Sequence, residues 1–358
     1  MVPTYSPVVI RFGRLGDTIL LQPLLRKLHQ RFGRPCQLLA LGDWPSVLYA
    51  AQEEVGGFIP LRSQSGPLWL HPQRLRAALA LRRLRQSPFY ICEPEFRTRT
   101  KIRPMLKLAG VPAGNCSFIE DLAGLENEHW VDWLLRFADT TPAAFAGVTS
   151  LSMGAVPAAP HLLITAAEQA DAQAWLQARG ISDRPLVLLQ PANKRTMRWN
   201  GVRRAEDDDK SWPAERWAAL ARAISASMPS AQVLFCGAAA EAEYLDSILA
   251  AVGPSTPTVA VAALPLGRLK ALQGMAHSMV SVDTGPAHLA AAVGCPLVVL
   301  MGARSPNMWR PRSACGSAVT LLGGLPDVKR VDQLGSEQVI EAWRALAART
   351  ARGQAVAA

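Results

Sequence analysis

A short apolar run that ends at Val282 leads directly into residues that could bind a ligand. Asp283, Thr284 and Gly285 form a turn, and His288 follows one helical turn later, in the sequence SVDTGPAHLAAAVGCP. The free N–H groups at the start of a helix, together with polar side chains beside them, make a suitable ligand site. The same residues are also compatible with an ordinary strand-to-helix turn, so both interpretations stay open at this point.

Asp17 is a candidate general base near the N-terminus. It follows a predicted strand and a turn that contains Gly13 and Gly16, in VVIRFGRLGDTILLQ. The spacing is neither G-x-G-x-x-G nor a Walker A loop, so a dinucleotide site or P-loop is poorly supported. Asp17 either accepts N–H groups as a helix N-cap or takes a proton from a hydroxyl nucleophile. The two roles compete for the same oxygens, so we expect one of them to dominate.

A loop in the second half of the chain carries cations that could neutralise a diphosphate. These are Lys194, Arg195, Arg198, Arg203, Arg204 and Lys210. A lysine suits this role as a point charge. The alternative is a solvated loop whose charges are balanced by Glu206–Asp209, and we expect it to hold for all but one or two of these side chains.

Two further segments are candidates for ligand contacts. Glu241, near a predicted helix start, either accepts hydrogen bonds from ribose hydroxyls or interacts with the helix dipole. Arg97, Arg99, Lys101 and Arg103 surround another helix start, where they either bind acceptor carboxylates or phosphates or form an exposed basic helix.

Short aliphatic runs that alternate with longer amphipathic stretches supply the elements that would position these residues. The predicted strands are Val8–Phe12, Gln37–Leu41, Phe58–Leu61, Phe89–Cys92, Leu186–Gln190, Gln232–Cys236, Thr258–Ala262, Met279–Val282 and Leu297–Met301. The predicted helices include Thr18–Arg31, His71–Arg85, Ala214–Ser227, Glu241–Ala251, Leu266–Met275, Ala287–Val293 and Ser336–Arg349. This pattern predicts an α/β fold of βα units on parallel sheets, and it occurs twice. Ligands bind beyond the carboxyl ends of such strands.

The chain of 358 residues is long enough for two domains. A stretch rich in Gly, Pro, Ser and Ala, GVTSLSMGAVPAAPH at 147–161, separates the two series of elements. We therefore predict a first domain over 1–160, a second over 161–335, and a C-terminal helix and tail over 336–358. That helix is free to pack on either domain, including back on the first.

The positive charge of the chain, +10 in all, is concentrated in residues 1–110 of the first domain. Residues 1–110 hold 17 Lys and Arg against 6 Asp and Glu, whereas the remainder holds 21 against 22. Such a basic field favours an anionic partner. The absence of an aromatic–basic stacking pattern argues against nucleic acid. No apolar run of about 20 residues, no signal-peptide pattern and no C-x-x-C pair occur, so we expect a cytoplasmic protein without a disulfide framework or zinc site.

These segments together resemble glycosyltransferase family 9, the bacterial heptosyltransferases of lipopolysaccharide core synthesis. The resemblance rests on GRLGDT, KSWPAERW, VDTGPAHLAAAVGCP and GARSP, in that order, and spans nearly the whole chain. It implies a GT-B architecture, in which two Rossmann-like domains face a central cleft and bind acceptor and nucleotide sugar respectively. Family members transfer heptose from ADP-heptose to the inner-core sugars of lipid A, with inversion and without a metal or other cofactor.

The resemblance also implies roles for individual residues. Asp17 matches the general base. The implied donor-binding residues are Lys210, Glu241, Asp283, Thr284, Gly285 and His288, and the acceptor-binding residues are Arg14, Gly16, Arg97, Arg99 and Arg103. The segment KRTMRWNG offers a competing alignment, so either Lys210 or the Lys194–Arg198 group contacts the diphosphate. The loop Gly302–Pro306 departs from the family pattern by its Arg304.

We therefore predict an inverting, metal-independent heptosyltransferase with an ADP-sugar donor and an anionic glycolipid acceptor. A monomer, associated peripherally with the cytoplasmic face of the inner membrane, is expected. The alternatives are another GT-B enzyme, with a different donor sugar or epimerase activity, and a basic nucleic-acid-binding protein. A non-catalytic binding protein is disfavoured because Asp17 and the Asp283–His288 set are both present. The sequence does not identify the acceptor.

Overall fold

The computed structural model describes residues 5–62, 72–147, 154–198, 201–203 and 207–357, with only the backbone at 198 and 347–357. The chain divides into two compact units, Met1–Leu163 and Ile164–Ala358. This division falls three residues after the boundary predicted at 160/161. Part of the predicted linker, 148–153, lies outside the described residues.

The first unit is built on a parallel five-stranded sheet. Its strands are β1 (Val8–Arg11), β2 (Cys36–Leu41), β3 (Val55–Leu61), β4 (Phe89–Ile91) and β5 (Cys116–Phe118). Its helices are α1 (Leu15–Leu20), α2 (Gln22–Phe32), α3 (Trp44–Leu48), α4 (Pro72–Arg83), α5 (Glu95–Arg97), α6 (Arg103–Ala109) and α7 (Trp130–Asp139). A π-helical turn, Thr98–Ile102, joins α5 to α6. The strand order is β3-β2-β1-β4-β5.

The second unit is built on a parallel six-stranded sheet. Its strands are β6 (Leu186–Gln190), β9 (Gln232–Gly237), β10 (Thr258–Ala262), β11 (Ser278–Val282), β12 (Leu297–Met301) and β13 (Val319–Gly323), and β7 (Met197–Arg198) pairs with β8 (Gly201–Val202) in a separate ribbon. Its helices are α8 (Ala166–Gln177), α9 (Ala214–Ser227), α10 (Ala242–Val252), α11 (Leu266–Met275), α12 (Gly285–Ala292), α13 (Pro306–Trp309) and α14 (Ser336–Ala357). The strand order is β10-β9-β6-β11-β12-β13.

Helix α14 packs into the core of the second unit. Val339, Trp343 and Leu346 are buried with residues of the second sheet and of α9. The indole N–H of Trp343 donates to Ser278 Oγ at 3.0 Å. The sequence left open on which unit this helix packs, and its described side chains pack on the second unit. Burial of a large aromatic side chain there removes much apolar surface from water.

Two sequence predictions need correction. The single helix predicted over Thr18–Arg31 is two helices, because Pro23, at the start of α2, has no N–H to donate and α1 ends before it. The strands β5 and β13 were not predicted. Both lie at sheet edges and are only partly buried, so they lack the uninterrupted apolar runs that identify the central strands.

Candidate functional site

The central strands β1 and β4 of the first sheet end beside each other. Helix α2 follows β1 and packs with α7, whereas α6 follows β4 and packs with α4. In the strand order β3-β2-β1-β4-β5, the chain runs from β1 towards one edge of the sheet and then continues from β4 towards the other edge. The order therefore reverses between β1 and β4, and α/β sheets bind ligands at the carboxyl edge of such a switch point. Phe12–Asp17 leave β1 at this edge, and Cys92 and Glu93 leave β4.

Asp17 lies at this switch point as the third residue of α1. Its Oδ2 accepts the backbone N–H of Arg14 at 2.8 Å, and its Oδ1 lies 2.7 Å from Nη2 of Arg11. The N-cap position itself belongs to Arg14, whose side chain is exposed, and Gly16 is the second residue of the helix. Asp17 keeps 25% of its side-chain surface exposed. The carboxylate therefore supports the helix start and remains accessible to a ligand.

Arg11 is a site residue that sequence reasoning missed. It is 5% exposed, and its Nη1 donates to the Cys92 carbonyl at 2.7 Å and lies 3.5 Å from Glu93 Oε1. Because a buried guanidinium needs paired acceptors, the Arg in the apolar strand VVIR was a signal that carboxylates lie near. The ion pair with Arg11 therefore fixes the orientation of the Asp17 carboxylate.

Glu93 completes this buried network. It is fully buried and accepts the Phe12 N–H, while Arg97 Nη1 lies 3.3 Å from its second oxygen. Burial raises the pKa of Glu93, and Arg11, the Phe12 N–H and Arg97 oppose that rise. Arg97 also donates to the Phe12 carbonyl at 3.2 Å. This residue, predicted to bind acceptor, thus also braces the turn that carries Asp17.

The other predicted acceptor cations lie on the surface after β4. Arg99 is exposed on the π-helical turn. Arg103 pairs with Glu120 at 3.0 Å and stacks on the Phe118 ring, with its guanidinium carbon 3.8 Å from the ring centroid. The structure therefore ties Arg97 to the switch point and gives Arg103 partners of its own.

The second sheet has its own switch point, between β6 and β11. Counted along the unit, its strand order is 3-2-1-4-5-6, the order of Rossmann sheets that bind nucleotides at this position. Asn193 follows β6 and Asp283 follows β11. Thr284 is the N-cap residue of α12 and Gly285 its first residue.

Lys210 meets the predicted turn at this switch point. Its Nζ lies 2.5 Å from Asp283 Oδ2 and 2.7 Å from the Asp283 backbone oxygen. The two side chains are 16% and 9% exposed. His288 Nε2 lies 4.0 Å from the other carboxylate oxygen of Asp283. Thr284 Oγ1 donates to the Val282 carbonyl at 3.2 Å. Lys210 and His288, two residues of the predicted donor set, are thereby brought to Asp283, next to Thr284.

The loop that carries Lys210 is held by one buried carboxylate, Asp208, and one half-buried carboxylate, Asp209. Asp208 is 1% exposed, accepts Asn193 Nδ2 at 2.6 Å and lies 3.5 Å from Arg195 Nε. Asp209 pairs with Arg195 and accepts the Ala303 N–H at 3.2 Å. Asp208 and Asp209 balance the charge of Arg195, as expected. The expectation of a solvated environment is wrong for Asp208, because its hydrogen bonds are made inside the protein.

The competing cations of this loop are placed differently from Lys210. Lys194 is exposed, and Arg195 is engaged with Asp208 and Asp209. The side chain of Arg198 and all of Trp199 lie outside the described residues, as do Arg204 and Glu206.

Glu241 follows β9 at the same edge of the second sheet. Its Oε2 accepts the Ala238 N–H at 2.7 Å, and the residue is 8% exposed. Burial raises the pKa of Glu241, and the Ala238 N–H opposes the rise. The structure thus gives Glu241 a local role in capping the start of the helical segment. Gly237 packs closely against it, since a Cβ added at Gly237 would lie 3.0 Å from Glu241 Oε2.

The described residues contain neither a metal-binding cluster nor a membrane-spanning helix. No group of three or more His, Cys, Asp or Glu side chains in the described ranges is placed to hold a metal ion. No helix among these residues is both long and apolar enough to cross a bilayer.

The chain is similar in sequence and structure to known heptosyltransferases. It is 24% identical to lipopolysaccharide heptosyltransferase 2 of Escherichia coli K12 over 336 residues, which cover 91% of this chain and 90% of the relative. The solved ADP-heptose lipopolysaccharide heptosyltransferase II of E. coli matches with a TM-score of 0.73 at 20% identity, over 96% and 99% of the two chains. A glycosyltransferase family 9 structure from Veillonella parvula gives 0.70 at 17% identity, over 96% and 98%. The fold is therefore the GT-B fold of two Rossmann-like domains.

The family itself is shown by a match over residues 157–338, just over half of the chain, to the family model described as glycosyltransferase family 9 (heptosyltransferase). This segment contains Lys210, Glu241 and the turn from Asp283 to His288. The chain therefore belongs to glycosyltransferase family 9 and is a heptosyltransferase-like glycosyltransferase.

Proposed function

We propose that this enzyme transfers a heptose from ADP-heptose to an inner-core lipopolysaccharide acceptor or a related surface glycan, with inversion of the anomeric centre. The observation that carries the proposal is the Asp17 carboxylate, which is fixed by a buried arginine and still partly exposed at a sheet switch point. The names of the relatives support the donor: the E. coli structure is an ADP-heptose enzyme, and a second E. coli heptosyltransferase, with a TM-score of 0.63, was solved with ADP.

Asp17 acts as the general base. The acceptor hydroxyl oxygen attacks the anomeric carbon, the bond from that carbon to the diphosphate oxygen breaks, and ADP leaves with the bonding electrons. The hydroxyl proton passes to Asp17. Attack from the side opposite the leaving group inverts the configuration. Arg11 orients the carboxylate for this step, and the cations Arg14, Arg97, Arg99 and Arg103 attract the anionic acceptor.

Lys210 stabilises the diphosphate. Its ammonium group has three N–H donors, and the two acceptors on Asp283 leave one for a phosphate oxygen. The backbone N–H groups at Thr284–Gly285 and the imidazole of His288 add donors beside it. Charge that develops on the departing ADP is then offset by fixed protein groups. Glu241 holds the ribose through its second carboxylate oxygen.

The test of the base is the Asp17→Asn variant. Purified enzyme is assayed for ADP release with ADP-heptose and the glycolipid extracted from a host strain that lacks the enzyme. Loss of a general base lowers turnover by about 10²- to 10⁴-fold, and we expect ADP affinity to stay within about two-fold. Asp121→Asn removes an exposed carboxylate of the same unit and serves as the matched control. Wild-type turnover by Asp17→Asn would assign Asp17 to a structural role only.

The donor and acceptor are tested separately. We expect ADP-heptose to bind more tightly than any UDP-sugar in a calorimetric screen. Mass spectrometry of the glycolipid from a deletion strain then locates the missing sugar. Unchanged glycolipid in that strain would contradict the lipopolysaccharide assignment while leaving the glycosyltransferase family untouched.

A further inference from the structure

One face of the first unit combines exposed apolar and basic side chains outside the candidate site. Phe96 is 69% exposed, Leu79 61% and Leu108 50%. Nine large apolar side chains are exposed among the described residues, and these three lie within residues 72–109. Exposed apolar side chains concentrated in one segment mark an interaction surface more often than scattered ones do.

The three side chains point to the same side of the unit. Helix α4 buries Ala77, Ala78 and Leu81, and α6 buries Met105 and Leu106, in one apolar cluster against the first sheet. Both helices therefore cover the same face of that sheet. Their opposite faces, which carry Leu79 and Leu108, point outward together.

Phe96 belongs to the same outward surface. From α5 through the π-helical turn to α6, the chain buries Thr98, Ile102 and Met105, which recur at helical spacing. Phe96 is exposed on the opposite side of this helical segment, as Lys107 is at its far end. We call the surface formed by Leu79, Phe96, Leu108, Arg76, Arg83 and Lys107 the basic apolar face.

The charge around these apolar side chains is almost entirely positive. Residues 72–109 contain ten Lys and Arg and two Asp and Glu. One of the two acids, Glu93, is fully buried and serves the Asp17 network. Arg97 and Arg103 are paired with Glu93 and Glu120. Arg76, Arg83 and Lys107 are exposed and have no salt-bridge partner among the described residues.

We propose that the basic apolar face docks on a bilayer that contains anionic phospholipids. Cationic side chains gain energy near such a surface, and apolar side chains among them insert at the headgroup boundary. A second copy of the same face would bring like charges together, which disfavours self-association. The biological purpose of this binding rests on the proposed function, since an enzyme that modifies a glycolipid must work at the membrane. The binding itself requires no catalysis.

The test is sedimentation of the full-length protein with lipid vesicles. Vesicles of phosphatidylethanolamine with 30% phosphatidylglycerol are compared with vesicles of phosphatidylcholine. We expect binding to the first only, weakened by added salt. Each cation removed costs about five-fold in partitioning, so the triple variant Arg76→Gln, Arg83→Gln, Lys107→Gln binds roughly 100-fold more weakly. Leu79→Ser with Phe96→Ser and Leu108→Ser also weakens binding, at unchanged net charge.

The matched control removes three exposed cations elsewhere, in Arg34→Gln, Arg184→Gln and Lys329→Gln. This variant has the same net charge as the basic triple variant and should bind vesicles at least ten-fold more tightly than it does. Equal binding by the two charge variants, or binding to phosphatidylcholine as strong as to the anionic vesicles, overturns the proposal. Tighter binding of the protein to single-stranded DNA than to the anionic vesicles also overturns the proposal. Asp17→Asn should bind vesicles normally, so failure of the catalytic proposal and of this one are distinguishable.

Discussion

Replacing Lys210 by Met should separate the structural role of this lysine from its proposed role in donor binding. The ammonium group lies 2.5 Å from Asp283 Oδ2, and both side chains are mostly buried. Removing one partner of a fully buried ion pair costs about 3–5 kcal/mol. Because 16% of Lys210 remains exposed, we expect a smaller loss of unfolding free energy, about 2–3 kcal/mol. For a unit of this size that lowers its Tm by roughly 5–10 °C.

Donor affinity should fall for a different reason. A hydrogen bond to a charged group contributes about 1.5–3 kcal/mol, so loss of the proposed Lys210 contact to the diphosphate should raise the Kd for ADP by roughly 10- to 100-fold. The double variant Lys210→Met with Asp283→Asn removes the unpaired carboxylate charge. It should recover most of the stability, measured by scanning calorimetry, without recovering ADP affinity, measured by titration calorimetry at fixed salt.

Lys194→Met is the matched control, because Lys194 is an exposed lysine of the same loop. We expect it to keep both stability and ADP affinity. If ADP affinity recovers together with stability in the double variant, Lys210 is only structural. If Lys194→Met loses ADP binding and Lys210→Met does not, the alternative cation group holds the diphosphate.

Two other substitutions test particular contacts. An added Cβ at Gly13 would lie 2.3 Å from the Cβ of Asp17 and 2.9 Å from Arg11 Nε. Gly13→Ala should therefore displace Asp17, the proposed base, and lower kcat by about 100-fold, with ADP affinity retained. Gly147→Ala, which meets no atom within 4 Å, is its control, and unchanged kcat for Gly13→Ala would contradict the assigned geometry. Burial lowers the pKa of His277, so the unfolded chain binds a proton more readily and stability falls as the pH drops below about 6.5. His277→Gln should lose less stability than wild type between pH 7.5 and pH 5 in urea unfolding, whereas equal losses would contradict this assignment.

The central strands could be predicted because they are buried on both faces and therefore apolar without interruption. Leu186–Gln190 and Leu297–Met301 are buried throughout and have the predicted bounds. Thr258–Ala262 also has the predicted bounds, although it is a partly exposed edge strand, because its β-branched residues favour a strand. The edge strands β5 and β13 could not, since their partly exposed residues carry no such pattern. The break between α1 and α2 was readable in principle, because Pro23 interrupts the predicted helix.

The candidate site also has features that the sequence predicts and features that it does not. The sequence alone determined which residue types follow the strands, and so indicated Asp17, Asp283 and Thr284 at the carboxyl edges. The pattern of residues along the chain does not show which distant side chain a charged residue will pair with. The pairing of Lys210 with Asp283 joins residues 73 positions apart, and that of Arg11 with Glu93 spans 82. Only the tertiary structure decided these pairs, because the order of the strands in each sheet, fixed by long-range packing, sets which strand ends lie side by side.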